Sequence, residues 1–446
     1  MFKKIIVPFI LGVIVSFYFF PIGLTFLPPT VNTKMILAVL GAVIYVFDCV
    51  RARSMVLDKD VFISTLIAFL FSAVCYLSTF INVTEDFSYA NYFVSFFTWL
   101  GGAYAVIFFL KLRYRTVDID IVAKYLFWVA VAQCISCLLI DNIPAFSAFV
   151  DSWMNIGQGG VRELNRKYGI GSALDAGGVR FAAILVLSPY YLCRRVFAED
   201  GFGKSMWHVL AFFFIIMVGN MISRTTTVGA LIGIAYILLY IFKINKGMVS
   251  SDRVRSFFSI VLILAIFVPI VVFLYNTDPG MREDLRFAFE GFFNWAETGE
   301  WSTASTDKLN GVMWVWPEDL KTWIIGSGLF EGFIYSTDIG YCRFILYCGI
   351  AGFSVFSFFF VHNAFSVLRK YQGTGLLCLL LLSLTFVIWI KVATDIFMLY
   401  ALLFCADKFA DEDSEKEDAL PDSQSADDLD AKLARWAARP VGNYNQ

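Results

Sequence analysis

The sequence predicts an all-α membrane protein that crosses the bilayer about twelve times. Hydrophobic residues make up 59% of the 446 residues and charged residues only 16%. In soluble domains about 45–50% of the residues are apolar and about 25% are charged. The apolar stretches are continuous and lack a two-residue alternation, which favours spanning helices over barrel strands. This composition excludes a soluble enzyme, a disordered scaffold and a nucleic-acid-binding protein.

The apolar stretches define the predicted spans in order. The first follows Lys3 and Lys4 and continues to Leu27. It is too long for a signal-peptide core and has no small-residue cleavage site, so it is predicted to span. Further runs of similar length recur at 35–50, 61–81, 91–110, 121–140, 179–197, 206–222, 228–243, 256–275, 340–365, 374–390 and 391–407. The last boundary is weak because Lys391 interrupts an otherwise continuous apolar stretch.

Basic residues predict the orientation. With the N-terminus in the cytoplasm, most Lys and Arg of the short connections fall on the cytoplasmic side, as the positive-inside rule requires. They are Arg51, Arg53, Lys59, Lys111, Arg113, Arg115, Arg194, Arg195, Lys204, Lys243, Lys246, Arg253, Arg255, Arg369 and Lys370. We therefore expect an integral membrane domain over 1–407 with both termini cytoplasmic. The segment 408–446 is acidic at first and poor in apolar residues, so it is expected to be a mostly disordered cytoplasmic tail.

Two long segments, 141–178 and 276–339, are left as large outer loops. They are rich in Trp, Phe, Tyr and Gly, so we expect them to be ordered. Within the second loop, residues 281–296 have an amphipathic helical pattern: Leu285, Phe289, Phe292 and Phe293 share one side, opposite Arg282, Glu283, Arg286 and Glu290. Such a helix lies on the membrane surface or packs as a lid over the spans, and the pattern fits both.

The residue types on the outer side limit the chemistry. The two histidines, His208 and His362, fall at predicted inner helix ends, and the nine cysteines lie in or beside apolar runs. This argues against a His base and against a His or Cys metal site on the outer side. Nucleotide-binding motifs are absent from the sequence. We therefore expect no cofactor and no metal, and a substrate that arrives already activated.

Arginines are the candidate catalytic groups. Arg180, Arg224 and Arg343 fall at the predicted outer ends of three spans, against the positive-inside trend. A charge within the bilayer costs about 2.5–3.5 kcal/mol, so such residues tend to face protein, water or ligand. A guanidinium binds phosphate through two parallel hydrogen bonds, which predicts a diphosphate site. The alternative is that each arginine reaches the headgroups or pairs with a loop carboxylate.

Other outer residues are candidates for binding substrate. Arg162 and Arg166 are four residues apart and share one face of a helix, if one forms there. Glu300 and Trp301, followed by Trp314 and Trp316, place a carboxylate among aromatic rings, a combination that suits a sugar. Tryptophans at a membrane interface are also ordinary belt residues, so the interfacial interpretation stays open.

The order of short motifs carries a family resemblance over roughly 160–360. The motifs are Arg166-Lys-Tyr-Gly-Ile-Gly, Gly177-Gly178-Val-Arg180-Phe, Ser223-Arg224-Thr225, Gly326-Ser-Gly328, Thr337-Asp338-Ile-Gly340-Tyr341-Cys-Arg343 and Gly349-Ile-Ala-Gly352. In this order the chain resembles the Wzy-type O-antigen and exopolysaccharide polymerases, which are related to the O-antigen ligases.

The resemblance implies a GT-C-like, metal-independent glycosyltransferase in the bacterial inner membrane. It would join undecaprenyl-diphosphate-linked repeat units on the outer face, with undecaprenyl diphosphate leaving. Asp338 and Glu300 would contact the acceptor hydroxyl, unless Asp338 only caps the following helix. The resemblance implies lipid-linked glycans and membrane lipid as partners, and leaves open whether a chain-length regulator binds.

Two alternatives remain. An O-antigen ligase would use a different acceptor, but by the same resemblance ligases have an outer histidine, which this sequence lacks. A lipid-linked oligosaccharide flippase should carry charged or broken helices near the membrane midplane. Asp48 and Asp395 are the exceptions to an otherwise outer distribution of charge. Asp395 could be a proton-relay carboxylate of a transporter, but pairing with Lys391, four residues earlier, is the simpler expectation.

Overall fold

The computed structural model describes residues 2–54, 58–155, 167–197, 202–242 and 251–408. In these ranges the chain is mostly helical, and two short strands, β1 (Gly23–Leu24) and β2 (Met154–Asn155), form an antiparallel pair. Eight of the described helices are long and apolar enough to cross a membrane, and three shorter apolar segments accompany them. The chain is therefore a multi-pass, all-α membrane protein.

Seventeen helices are used below, each with its bounds. They are α1 (Phe2–Phe19), α2 (Thr33–Ala52), α3 (Lys59–Asn82), α4 (Tyr92–Arg113), α5 (Ile119–Asn142), α6 (Pro144–Trp153), α7 (Leu174–Tyr191), α8 (Phe202–Ile222), α9 (Thr226–Phe242), α10 (Ser251–Thr277), α11 (Pro279–Ala288), α12 (Glu290–Thr298), α13 (Ala304–Val312), α14 (Leu320–Ile325), α15 (Gly340–Lys370), α16 (Gly375–Ile388) and α17 (Phe397–Cys405).

Each predicted span up to 374–390 has a helical counterpart, but the last one differs. Residues 389–396 are not helical, and the helix that follows, α17, has nine residues. A nine-residue helix is about 14 Å long, too short to cross a bilayer alone. The count of twelve spans and the GT-C-like arrangement therefore stay predictions.

The connections gather at two ends of the bundle, and contacts identify which belong together. Thr25 N–H donates to Trp153 O at 3.0 Å, and Thr84 Oγ1 donates to Gly328 O at 2.8 Å. We call the end that holds 20–32, 83–91, 143–155, 167–173, 278–339 and 389–396 the loop end.

The opposite end is rich in ion pairs. They join Arg369 to Asp60 at 2.6 Å, Lys111 to Asp407 at 2.6 Å and Arg195 to Asp120 at 2.8 Å. His362 also lies at this end, with Nε2 3.2 Å from the carbonyl oxygen of Asp60. Several of the basic residues that predicted the orientation thus lie at one end of the bundle, away from the large loops.

Helix α7 is at the centre of the bundle. Within the apolar segment Leu174–Val196, which includes α7, 89% of the most apolar stretch is buried, against 11% for the corresponding stretches of α2 and α10. Helix α9 packs closely on α7 because Gly229 has no side chain: a Cβ there would lie 2.3 Å from Ala182 Cα. Small residues at such contacts are the usual way for helices to approach within a membrane. Arg180 is therefore carried on the most enclosed helix.

A kink in α15 fixes part of the long loop. Gly349 has φ 65° and ψ −178°, which interrupts the helix. The carbonyl oxygens of Leu346 and Tyr347 accept hydrogen bonds from the N–H groups of Ser327 at 2.7 Å and Gly328 at 3.0 Å. Two of the motifs that carried the resemblance, around 326–328 and 349–352, are thus in contact.

Candidate functional site

The first turn of α7 is built against the segment between α8 and α9. The Asp175 carboxylate accepts hydrogen bonds from Ser223 Oγ at 3.0 Å and Thr225 Oγ1 at 3.3 Å. Gly178 lets this segment approach, because a Cβ there would lie 2.5 Å from Ser223 Oγ. The predicted motifs at 177–180 and 223–225 are therefore neighbours, and Arg180 follows about one turn after Asp175.

Arg180 is a guanidinium without a direct partner. Among the residues that the structure describes, no hydrogen bond, ion pair or aromatic contact engages its side chain, which is half-buried at the loop end of α7. Its electrostatic neighbours are Lys34 and Asp395. No ion pair joins Arg180 to Asp395, and Lys34 carries the same charge as Arg180. Guanidinium groups are seldom left without acceptors inside a protein, so Arg180 stays a candidate for binding an anion.

Lys34 lies in the first turn of α2 at the same end. Its ammonium is 4.1 Å from the centre of the Trp99 ring. Electrostatic interactions join it to Arg180 and to Asp395. Two cations therefore face one carboxylate, and we call Lys34, Arg180 and Asp395 the charged cluster.

Asp395 belongs to the non-helical segment 389–396. Its Oδ1 accepts a hydrogen bond from Phe397 N–H at 2.8 Å, whereas Oδ2 makes no hydrogen bond of normal length in the described part of the chain. Burial raises the pKa of Asp395 to about 6, although that backbone hydrogen bond, Lys34, the Tyr92 hydroxyl and Arg180 act to lower it. The expected pairing with Lys391 is wrong: the Lys391 ammonium lies 3.9 Å from Asp175, on α7.

Two tyrosines complete the surroundings of Asp395. Tyr89 donates a hydrogen bond to Ala393 O at 3.1 Å and interacts electrostatically with both Asp395 and Arg343. The Tyr92 hydroxyl is buried without a hydrogen-bond partner in the described ranges, close enough to Asp395 to interact with it. Tyr89 thus interacts with both the charged cluster and Arg343.

Arg343 is held by the long loop. It donates a hydrogen bond to Phe330 O at 2.6 Å, and its guanidinium carbon lies 3.9 Å from the centre of the Phe330 ring. Asp338 interacts with it electrostatically but is itself exposed. Helix α15 begins after Ile339, and Asp338 does not cap it through its side chain. The capping alternative for Asp338 is therefore excluded.

Arg224 is engaged by the amphipathic segment. Its guanidinium forms an ion pair with Glu290, and lies 4.6 Å from the centre of the Phe287 ring. Glu290 also accepts a hydrogen bond from Ala304 N–H at 3.0 Å. Arg180 and Arg343 thus share neighbours around Tyr89 and Asp395, whereas the side chain of Arg224 is directed to a loop carboxylate. Whether all three bind one diphosphate stays a prediction.

The amphipathic segment is helical with one break. Helices α11 and α12 meet at Phe289, which has φ −122° and ψ 30°. Leu285 and Ala288 are buried against Met221 of α8, and a cavity of about 340 Å³ lies between these helices and α10. Lys167 bridges Asp141 at the end of α5 to Asp284 of α11, the latter at 2.9 Å. This packing fits the lid interpretation, and we call α11–α12 the lid.

The predicted sugar-binding residues are exposed on the loop end. Glu300 is exposed, and Trp301 packs edge-on against Phe292, with ring centres 4.7 Å apart. Trp314 and Trp316 are 5.8 Å apart, and Trp316 stacks on Trp323 at the same separation. A row of three exposed or half-exposed tryptophans offers a surface for a sugar ring, but it lies on a different part of the loop from Trp301. Arg162 and Arg166 lie outside the described residues.

An apolar groove of about 500 Å³ opens between α3 and α4. Phe69, Tyr76 and Phe80 line it from α3, and Ala90 and Phe93 from the start of α4. Tyr89 and Tyr92, in the same stretch of chain, face the charged cluster. The groove and the cluster are therefore separated by one short segment.

Sequence reasoning missed Lys34 and Asp395. Lys34, which directly precedes the predicted span 35–50, was not singled out, and Asp395 was noted only as an exception within the last predicted span. The sequence signal for these two residues was a charge in or beside an apolar run. That signal does not show which other helices the charge lies next to. Within the described ranges, no group of three His, Cys, Asp or Glu residues is arranged to hold a metal ion.

The fold defines a multi-pass membrane protein with a half-buried cluster of two cations and one carboxylate at its loop end. Comparisons with protein-family models, with curated proteins and with solved structures find no match. The function is therefore argued from the chain itself.

Proposed function

We propose that this protein is a GT-C-like membrane glycosyltransferase that polymerises undecaprenyl-diphosphate-linked oligosaccharide units. In the proposal the loop end faces outwards from the bacterial plasma membrane and both termini are cytoplasmic. One lipid-linked glycan is the donor, and a hydroxyl group of a second one is the acceptor. The growing chain moves onto the acceptor unit, and undecaprenyl diphosphate leaves.

One observation carries the proposal: Arg180, on the most enclosed helix, has no direct partner in the described residues, and Lys34 adds a second cation. A diphosphate is an anion of the size and charge that two such cations suit, and an arginine binds it through two parallel hydrogen bonds. As the glycosidic bond breaks, negative charge grows on the departing diphosphate. Cations fixed in advance stabilise that charge without reorganising.

The surrounding features fit a lipid-linked glycan. The apolar groove between α3 and α4 suits part of a polyprenyl chain, and the tryptophans of the long loop suit sugar rings. The lid covers an apolar cavity beside α8 and α10, and Arg224 holds it through Glu290. Excluding water near the reacting carbon favours transfer to a sugar hydroxyl over hydrolysis.

Cells that lack this protein test the proposal. A gel of their surface glycan should show a ladder when the wild-type chain is restored and single repeat units when Arg180→Ala replaces it. Glu85→Gln, an exposed loop-end substitution outside the site, should restore the ladder. A ladder from the Arg180→Ala protein at wild-type abundance would exclude this site.

A transporter of lipid-linked oligosaccharides is the second candidate, because 389–396 interrupts the helical path between α16 and α17. Transporters bind their substrates at such broken helices. Loss of all surface glycan in the deleted cells, with lipid-linked units retained inside, would favour the transporter. Single units at the surface favour the polymerase.

A further inference from the structure

We propose that Asp395 is the general base that takes the proton of the acceptor hydroxyl. This inference rests on the proposed function and adds a residue to it. The argument depends on where the carboxylate lies, which of its oxygens is free and what surrounds it.

The position of Asp395 suits this role. Asp395 is at the loop end, two residues after Ala393, whose carbonyl oxygen accepts a hydrogen bond from Tyr89 at 3.1 Å, and its carboxylate interacts electrostatically with Lys34, Arg180, Tyr89 and Tyr92. A leaving diphosphate on Lys34 and Arg180 puts the reacting sugar carbon next to the cluster. A carboxylate at the edge of the same space can then reach the hydroxyl that attacks that carbon.

One oxygen of Asp395 is available and the other is fixed. Oδ1 accepts the hydrogen bond from Phe397 N–H at 2.8 Å, which orients the carboxylate. Oδ2 makes no hydrogen bond of normal length in the described part of the chain, and the Tyr92 hydroxyl, which has no other partner, approaches the carboxylate closely enough to stabilise its charged form. A general base needs this combination: an oriented group with a free lone pair within reach of the substrate. A carboxylate that only balanced charge would be expected to contact one of the two cations directly, and here it contacts neither.

The transfer balances as follows. The acceptor oxygen forms a bond to the anomeric carbon of the donor, and the bond from that carbon to the diphosphate oxygen breaks. The electron pair leaves with the diphosphate, which Lys34 and Arg180 hold. The hydroxyl proton passes to Oδ2 of Asp395, and later to water.

Titration of Asp395 depends on groups from three other elements. Lys34 of α2 and Arg180 of α7 favour its charged form, and Tyr89 and Tyr92 face it from the start of α4. Burial raises its pKa to about 6, which is nearer to neutral pH than an ordinary carboxyl and suits a base. A bound diphosphate would raise that pKa further, because it offsets the two cations.

The test uses the full chain in lipid nanodiscs with two probes. Undecaprenyl diphosphate reports binding, and lipid-linked glycans extracted from cells lacking the protein report chain extension. Asp395→Asn should extend chains about 10²–10⁴-fold more slowly, the usual contribution of a general base. It should bind undecaprenyl diphosphate as tightly as the wild type or more tightly, because a negative charge has been removed. Glu85→Gln is the control and should change neither.

The pH profile separates a base from a structural carboxylate. The wild-type extension rate should fall on the acid side as Asp395 is protonated, and Asp395→Glu should retain activity with this acid limb moved. The Asp395→Asn variant should extend chains only slowly, and its rate should not fall further at acid pH. If the Asp395→Asn variant does not fold, the Asp395→Glu variant is the test. If its extension rate falls at the same acid pH as that of the wild type, another group is the base.

Two further results would overturn the assignment of Asp395. In the first, the Asp395→Asn variant extends chains at the wild-type rate. In the second, the variant loses extension rate and affinity for undecaprenyl diphosphate by the same factor. Failure of the proposed function looks different: the wild-type protein would then neither bind undecaprenyl diphosphate nor extend the extracted glycans at any pH.

Discussion

Arg343 donates a hydrogen bond of 2.6 Å to the carbonyl oxygen of Phe330, and the same guanidinium lies 3.9 Å from the centre of the Phe330 ring. The N–H of Phe330 is bound in turn by the Asp86 carboxylate. Arg343 is therefore part of the attachment of the long loop to α15. Arg180 has no such contact in the described chain, so the two arginines should respond differently to substitution.

The first prediction concerns Arg343→Ala. This variant should loosen residues 326–333, because a charged hydrogen bond worth about 1.5–3 kcal/mol is lost. Hydrogen exchange of the backbone amides of this segment should speed up in the nanodisc-bound protein. Arg343→Lys should show a smaller change, since an ammonium can still donate to Phe330 O. Unchanged exchange in the Ala variant would mean that other contacts hold the segment.

The second prediction concerns Arg180→Ala. Removing a cation that has no direct partner should leave thermal stability unchanged or raise it, because an unpaired buried charge is costly. Chain extension should nevertheless fall about 10²–10³-fold, as when one preorganised donor is removed from an active site. Arg180→Lys should restore only part of the rate, because it lacks the planar fork. A parallel fall in melting temperature and rate would indicate a structural role.

The spans and the site differ in how far the sequence could predict them. The apolar runs predicted the helices because hydrophobic length is a local property, and residues 281–296 were predicted to be helical for the same reason. The break at Phe289 was not, since the nearest glycine, Gly291, lies within α12 and not at the break. Asp395 lies in a run apolar enough to suggest a span, but the structure has 389–396 non-helical, with Trp389 Nε1 donating to Thr394 O at 2.7 Å and Tyr89 donating to Ala393 O at 3.1 Å.

The charged cluster could not be predicted because its members come from two helices and a non-helical segment that are far apart in sequence. Arg180 was identified through its depth and its charge. Lys34 and Asp395 are also charges beside or within apolar runs, but Lys34 was not singled out and Asp395 had a simpler explanation, a pair with Lys391. Which helices are neighbours decides between these explanations, and a single sequence does not contain that information. Arg224 shows the reverse case: its ion pair with Glu290 is the loop-carboxylate alternative that the sequence left open.

The third prediction concerns the ion pair of Arg224 with Glu290. Arg224→Ala, Glu290→Ala and the double variant should give a coupling energy of about 0.5–3 kcal/mol in thermal unfolding, because both side chains are largely buried. The exposed pair Arg286 and Glu297, at 2.6 Å in the same lid, is the matched control. Its coupling should be much smaller, since solvent screens it. Equal couplings for the two pairs would show that the lid is not anchored through Arg224.

The fourth prediction concerns pH and Asp86. Burial alone would raise the pKa of Asp86, but hydrogen bonds from Ser88 Oγ and from the N–H groups of Glu331 and Phe330 lower it below its ordinary value. A lowered folded-state pKa stabilises the fold above the ordinary value of 3.8. That contribution is lost as the pH falls through the lower folded-state value.

Attachment of the loop segment 326–333 should therefore weaken under acid conditions. Asp86→Asn should show faster amide exchange in 326–333 already at neutral pH, with less further change on acidification. The exposed carboxylate of Glu85 gives the control, because Glu85→Gln should keep the wild-type pH dependence. If acid speeds exchange equally in the wild type and in Asp86→Asn, another group controls the attachment.

The fifth prediction concerns the kink at Gly349. A Cβ at this position would lie 2.2 Å from Ile324 O, and the residue has φ 65°. Gly349→Ala must therefore either straighten α15 or push α14 away, and both separate Leu346 and Tyr347 from the N–H groups of Ser327 and Gly328. Two or more hydrogen bonds would be lost, at about 0.5–1.5 kcal/mol each, in addition to the backbone strain.

Gly373→Ala is the control for the strain alone. Gly373 has φ 81° but open space around a Cβ, so alanine there costs only the left-handed conformation, about 1–2 kcal/mol. Gly349→Ala should lower the melting temperature more than Gly373→Ala and should also speed amide exchange at 326–328, which Gly373→Ala should leave unchanged. Because Arg343 lies two turns before the kink, chain extension should fall in the Gly349 variant as well. Equal melting temperatures in the two variants would mean that α14 moves aside freely, and the contact between the two glycine motifs would then not be needed to hold the loop.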